Sequence, residues 1–353
     1  MPINRSISFR PLTQLIFQRL GLDRSAAESA AETVIICPHE ENLVAQAFYL
    51  EGQLDRVTGV SENNSFELEK TRITQRVRRD DATVAYRIDN CVFSSGRLLT
   101  HRMQDRQGGR RKRKPLASIT DTLETAVLPM SHYATFYFGH MVIDGGASSL
   151  LAPEFGKSYI DTQVAKGMGG HAARYWDLFN LKYTAVEDVR IRHAWIFDDR
   201  GMNSHKIARL RKMNSLVRTI PAARSGHGIF FRRRGWGVHR APENEAQLED
   251  FFAERNFEII DPGEMSVDEM VPRIREADVI IGVEGSGMIH GMLAIRPDAI
   301  VVMMLPPWRL NNMMKDYADG LGLRYGFVVG EGGVDGYWID PEEILRTIDL
   351  AIK

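Results

Sequence analysis

The spacing of apolar residues changes character near residue 225. Upstream, apolar residues are scattered. Short patches at 83–88 and 91–93 read as strands among turn-rich polar stretches such as Ser61-Glu62-Asn63-Asn64. Residues 1–115 therefore read as an irregular, partly β lead-in. Downstream, short apolar runs at 229–231, 257–260, 278–282, 299–305 and 325–329 alternate with helical patterns. Residues 244–255 place Leu248, Phe251 and Phe252 on one helical face, with Asn244 as N-cap and Gln247 at the third helical position. Ser266-Val267-Asp268-Glu269 is a capping box for the next helix, and Pro272 inside that helix predicts a kink or a later start. A helix is expected at 287–295. Asp340-Pro341-Glu342-Glu343 opens the last one, with Ile344, Leu345, Ile348 and Ala351 sharing a face. Apolar strands in alternation with helices specify an α/β fold with a parallel sheet covered on both faces. Such sheets bind ligands at the carboxyl ends of their strands, which points to the turns after Ile281 and Leu305.

Length adds that 353 residues make about two domains at roughly 150 residues each. Charge adds an exclusion. With 45 basic against 46 acidic residues the formal net charge is −1, which argues against a protein whose main task is coating nucleic acid or an anionic membrane. The two cysteines, Cys37 and Cys91, have no metal or redox spacing and fit a reducing compartment. No apolar run reaches the roughly 18 residues of a membrane span. The first twenty residues are interrupted by Arg5, Arg10 and Arg19, so they lack the core of a signal peptide. The expectation is a cytoplasmic protein. One charge run stands apart: Arg106-Gln107-Gly108-Gly109, then Arg110, Arg111, Lys112, Arg113 and Lys114. It reads either as a solvated surface loop or as a contact with phosphate or anionic lipid at the inner face of a membrane. It lacks the interleaved aromatics that stack nucleic-acid bases.

Three segments could carry chemistry. Gly282-Val283-Glu284-Gly285-Ser286-Gly287 joins a buried strand to a helix, where glycines admit close backbone approach and the helix start offers N–H groups to a phosphate. It is neither the dinucleotide fingerprint nor a P-loop, which weakens a rival reading as a dinucleotide-dependent oxidoreductase. Phe230-Phe231-Arg232-Arg233-Arg234-Gly235, with Arg240 beyond it, ends an apolar run and could clamp a diphosphate; the plainer reading is a solvated basic edge. Tyr137-Phe138-Gly139-His140-Met141-Val142-Ile143-Asp144 places His140 and Asp144 on one helical face, a general base with an orienting partner or a satisfied buried histidine. Gly145 and Gly146 weaken that helix. No D-x-D, H-E-x-x-H or G-x-S-x-G occurs in the chain.

In order and spacing these segments resemble glycosyltransferase family 61. The likeness rests on Phe138-Gly139-His140 with Asp144, then Arg233-Arg234, Arg240 and Asn244-Glu245, then Gly282 to His290, with 257–262 and 276–282 also similar. Glu284 stands where that family usually has His, and His290 where it usually has Asn. The resemblance implies a GT-B architecture of two facing Rossmann-like domains, placed here at 116–220 (acceptor side) and 221–353 (nucleotide side, its last helix free to cross back). It implies an inverting, metal-independent transferase that moves a sugar, expected as a UDP-sugar, onto a glycan or other hydroxyl acceptor. No cofactor is implied beyond the nucleotide-sugar co-substrate. His140 and Asp144 would be catalytic. Arg233, Arg234, Arg240, Glu284, Gly285, Ser286, Gly287, Met288 and His290 would hold the nucleotide-sugar. The alternative is a non-catalytic nucleotide-sugar or glycan-binding relative, suggested by Glu284 and His290; a nucleic-acid-binding protein using the basic run is disfavoured by the net charge.

Overall fold

The structure, a computed structural model, describes residues 6–62, 64–109, 111–233 and 240–352. The chain forms two compact units, each gathered from two stretches: Met1–Glu40 with Asp80–Arg209, and Glu41–Arg79 with Leu210–Lys353. Among the described residues, no helix is long and apolar enough to cross a membrane.

The first unit is built on a six-stranded mixed sheet. Its long strand, Thr83–Ser94, runs antiparallel to Val189–Asp198, which in turn runs parallel to Asp121–Leu128. The other edge of Thr83–Ser94 takes Glu32–Cys37 along its first half and Arg97–Leu99 along its second, followed by Gln104–Arg106. The two short strands expected at 83–88 and 91–93 are thus one. Asn90 takes a left-handed φ of 49° and carries the strand through the polar Asp89-Asn90 pair that reads as a turn. The core comprises Ile88, Cys91, Phe93, Leu98, Ala126, Leu128, Ile191, Ala194 and Ile196. After Asp121–Leu128 the chain enters a helical segment made of Phe138–His140, a wider π-helical turn Met141–Gly145, and Gly146–Ser149.

The second unit holds the parallel sheet. From one edge to the other its strands are Phe257–Ile260, Gly228–Phe231, Val279–Val283, Ile300–Leu305 and Arg324–Val329, every pair parallel. In the unit's own count of strands this is the order 2-1-3-4-5. The order reverses between the first and third strands, where Phe231 lies beside Gly282. Side chains alternate in direction along each strand. Phe230, Ile281, Val302 and Met304 pack with Leu248 and Phe252 of the helix Glu245–Ala253 and with Ile344 and Ile348 of Pro341–Ile352. On the opposite face Met288–Ala294 lies so close that a Cβ on Gly291 would come within 2.8 Å of both Ile280 and Phe231. Helices therefore cover both faces. The capping box forms: Glu269 N–H donates to Ser266 Oγ, and the Glu269 carboxylate accepts from Ser266 N–H. Pro272 sits within the helix Val267–Ile274, which it neither delays nor ends. The stretch before Asp80 belongs to this unit as well. Phe48 fills the space over Gly326, and Arg56 forks onto Glu343 at 2.6 and 2.8 Å.

Candidate active site

In a doubly wound sheet the loops after the strands that flank the order reversal diverge and leave a crevice between them. Here those loops begin at Arg232 and at Glu284. Arg232 is spent on structure: its guanidinium takes Glu249 in a fork at 3.0 and 2.5 Å. Arg233 anchors its backbone N–H on Glu245 Oε1 at 2.7 Å. Its guanidinium lies against the backbone of Gly285, close enough that a Cβ there would come within 2.6 Å of Arg233 Nη1. Gly285 also has a φ of 149°, a conformation that side chains disfavour, so glycine is needed here on two counts. Arg240 donates to both the carboxylate and the carbonyl of Glu284, the latter at 3.3 Å. Burial, and then the nearby Arg240 charge, push Arg233 below its ordinary value.

Glu284, 3% exposed, is the hub of this cluster. Besides Arg240 its carboxylate accepts from Arg309 Nε at 3.3 Å and from Asn311 Nδ2 at 2.9 Å. A carboxylate about 4 Å from a phosphate would oppose it by about 4 kcal/mol per charge pair at an effective dielectric of 20. Bound to two guanidinium groups, Glu284 instead fixes cations in place, and with Arg233 the cluster keeps a positive surplus. Met288 is packed inside: a Cβ on Gly282 would lie 2.4 Å from its sulfur, and its N–H goes to Gly285 O at 3.1 Å. Ser286 and Gly287 form the turn between strand and helix, and Ser286 O and Gly287 O accept from Ile289 and His290 at 3.2 and 3.3 Å. His290 is buried in the short helix Met288–Ala294. Arg234 lies outside the described residues.

The first unit carries the other candidate pair. Despite the two glycines, His140 and Asp144 meet: Nδ1 lies 2.6 Å from Oδ2 across the π-helical turn. Gly145 lets that turn pack tightly, since a Cβ on it would sit 3.1 Å from the sulfur of Met130. Asp144 Oδ1 accepts from Lys206 Nζ at 2.8 Å, and Lys206 also donates to the Asp199 carbonyl at 2.7 Å. Burial pushes the Asp144 carboxyl up, but the Lys206 charge and the His140 hydrogen bond outweigh it and hold the group well below the usual carboxylate range. Lys206 is held above its ordinary value, its burial outweighed by the Asp144 and Asp199 charges. Asp144 is thus ionised and its Oδ2 accepts from His140 Nδ1–H, which leaves Nε2 as the ring nitrogen not engaged by Asp144. The His140 side chain keeps 20% exposure, against 3% for Lys206.

Sequence reasoning missed Lys206, Arg309 and Asn311. Lys206 is one of four Lys and Arg residues in the helix Ser204–Val217, and no local motif sets it apart. Arg309 and Asn311 follow the strand Ile300–Leu305, at the carboxyl-end turn that the sheet pattern did mark out.

No curated protein matches the chain. Residues 138–302 match the family model described as Glycosyltransferase 61. The span takes in His140, Asp144, Arg233, Arg240 and the turn from Glu284 to His290, and it supports the resemblance to glycosyltransferase family 61.

Proposed function

We propose that the protein is an inverting, metal-independent glycosyltransferase in which two α/β halves form a GT-B arrangement around a UDP-sugar. The observation that carries this reading is the arginine cluster at the order reversal of the parallel sheet. Arg233 and Arg240 are the diphosphate ligands, and Glu284, with Arg309 and Asn311, holds Arg240 in position.

His140 is the general base. It lifts the proton from an acceptor hydroxyl at Nε2 while Asp144 fixes the ring through Nδ1 and stabilises the imidazolium that forms. The acceptor oxygen bonds to the anomeric carbon from the side opposite the leaving group. The bond from that carbon to the phosphate oxygen breaks, and its electron pair leaves on the nucleoside diphosphate. The arginines balance the charge that develops there. Asp144, buried against an ammonium group and strongly acidic, is the weaker base of the pair and serves as the orienting partner.

Two measurements test the reading. Calorimetry should show UDP binding that weakens at least tenfold in Arg233→Ala; unchanged affinity would sink the donor assignment. Transfer from a UDP-sugar should fall by a factor on the order of 10² to 10⁴ in His140→Ala, the usual scale for losing a general base. Rates within twofold of the parent in both His140→Ala and Asp144→Asn would remove the pair from the chemistry.

A further inference from the structure

The basic run after Arg106 plays no part in the reaction above, yet it is folded against the first unit rather than trailing into solvent. Gln104–Arg106 pairs with Arg97–Leu99, and Gln107 N–H donates to Gly96 O at 3.0 Å. The two turns cross so tightly that a Cβ on Gly108 would lie 2.4 Å from Gly96 Cα. Beside this crossing is a cavity of about 280 Å³ whose lining includes Arg97, Arg106, Arg111, Lys112, His132 and Phe136.

The charges around it do not cancel. Arg111 is neutralised by Glu187 at 2.6 Å and by Asp161. Arg97 donates to the carbonyls of Ser95 and Arg111 at 2.8 and 3.2 Å, and Arg106 lies 3.5 Å from His132 Nε2. Among the described residues none of Arg97, Arg106 and Lys112 has a carboxylate within 4.0 Å. Burial pushes Arg97 below its ordinary value, and the charges of Arg106 and Arg111 push it further. The cavity wall also reaches the candidate base: His132 packs on Tyr133 at 5.7 Å between ring centres, and Tyr133 on His140 at the same spacing.

We propose that this cavity binds a phosphoryl group carried by the acceptor saccharide, seating its hydroxyl near His140. The word acceptor rests on the glycosyltransferase reading; the phosphoryl site does not. Three cations without a carboxylate partner match a phosphate monoester, which carries about −1.5 to −2 at neutral pH, better than the single charge of a carboxylate. The arginine forks supply paired N–H donors to its oxygens.

The test is a calorimetric titration of inorganic phosphate into the full chain carrying Arg233→Gln, which removes the second unit's phosphate ligand. Saturable binding is expected, at least tenfold weaker when the exposed Arg106 is also changed to Gln and about threefold weaker with Lys112→Gln. Absence of saturable binding, or affinity unmoved by Arg106→Gln, overturns the proposal. A second arm uses phosphatidylcholine vesicles with and without phosphatidic acid. Arg106-dependent binding to the acidic vesicles by a chain that ignores inorganic phosphate makes the run a membrane contact and also overturns it. UDP titrated into the unaltered chain tests the donor reading separately, so failure of one does not masquerade as failure of the other.

Discussion

Lys206→Met isolates the charge balance on which the candidate base depends. The Lys206 ammonium sits 2.8 Å from Asp144 Oδ1 with only 3% of its side chain exposed. At that distance and an effective dielectric of 20 the attraction is about 6 kcal/mol before desolvation is counted. Removing one partner of such a pair leaves a buried charge uncompensated and costs roughly 3–5 kcal/mol, a large share of a typical folding free energy. The substitution should therefore lower the denaturant midpoint of the parent chain, followed by tryptophan fluorescence through Trp176 and Trp195. Adding Asp144→Asn should restore at least about 1.5 kcal/mol, because a neutral amide needs no cation. The pH dependence carries the sign. In the parent, Asp144 is held below its unfolded value of about 3.9, so its contribution is present above that pH and is lost as the pH falls further. Without Lys206 the carboxyl rises from that depressed position, because the charge that most strongly lowers it is gone. The stability that Asp144 contributes above that pH is then smaller than in the parent, so the two chains differ most at neutral pH and converge as the pH falls through the carboxylate range. A loss under 1 kcal/mol, or an Asp144→Asn change that deepens the loss, refutes the reasoning.

Other consequences follow from the second unit. Glu284→Gln removes the charge that Arg240 and Arg309 share, and it should destabilise the chain by roughly 3–5 kcal/mol in denaturant titrations and weaken UDP binding severalfold, since Arg240 loses the carboxylate that holds it in position. Gly285→Ala places a Cβ 2.6 Å from Arg233 Nη1 at a disfavoured φ, so the guanidinium must move, and UDP affinity measured by calorimetry should drop about tenfold. Phe48→Ala empties the space over Gly326 and should cost about 3–5 kcal/mol of stability with little change in UDP affinity.

What the sequence showed and what it hid divide along physical lines. The strands of the second unit are legible because the inner ones are buried on both faces and all are short apolar runs bounded by turn residues or a capping box. Strand Phe257–Ile260 and the Ser266 cap follow directly from local pattern. Strand Thr83–Ser94 is not, since its polar Asp89-Asn90 pair imitates a turn and only pairing with Val189–Asp198 shows that it continues. The place of residues 41–79 depends on contacts far along the chain, such as Phe48 with Gly326 and Arg56 with Glu343, for which there is no periodic signal. The same applies to the candidate site. His140 and Asp144 are four residues apart and can be paired on paper. Lys206, which sets the charge of Asp144, is joined to it only by the fold. Glu284 reads from sequence as an obstacle to a diphosphate, and only its contacts with Arg240, Arg309 and Asn311 show what balances it.

The most direct measurement is a transfer assay on the purified full chain with a panel of UDP-, GDP-, CMP- and dTDP-sugars and phosphorylated and unmodified saccharide acceptors, read by NMR for released nucleotide and for the anomeric configuration of the product. The account predicts consumption of a UDP-sugar, a product inverted at the anomeric carbon, and a rate at least a hundredfold lower in His140→Ala. A chain that consumes no nucleotide-sugar, or a product that retains configuration, contradicts it.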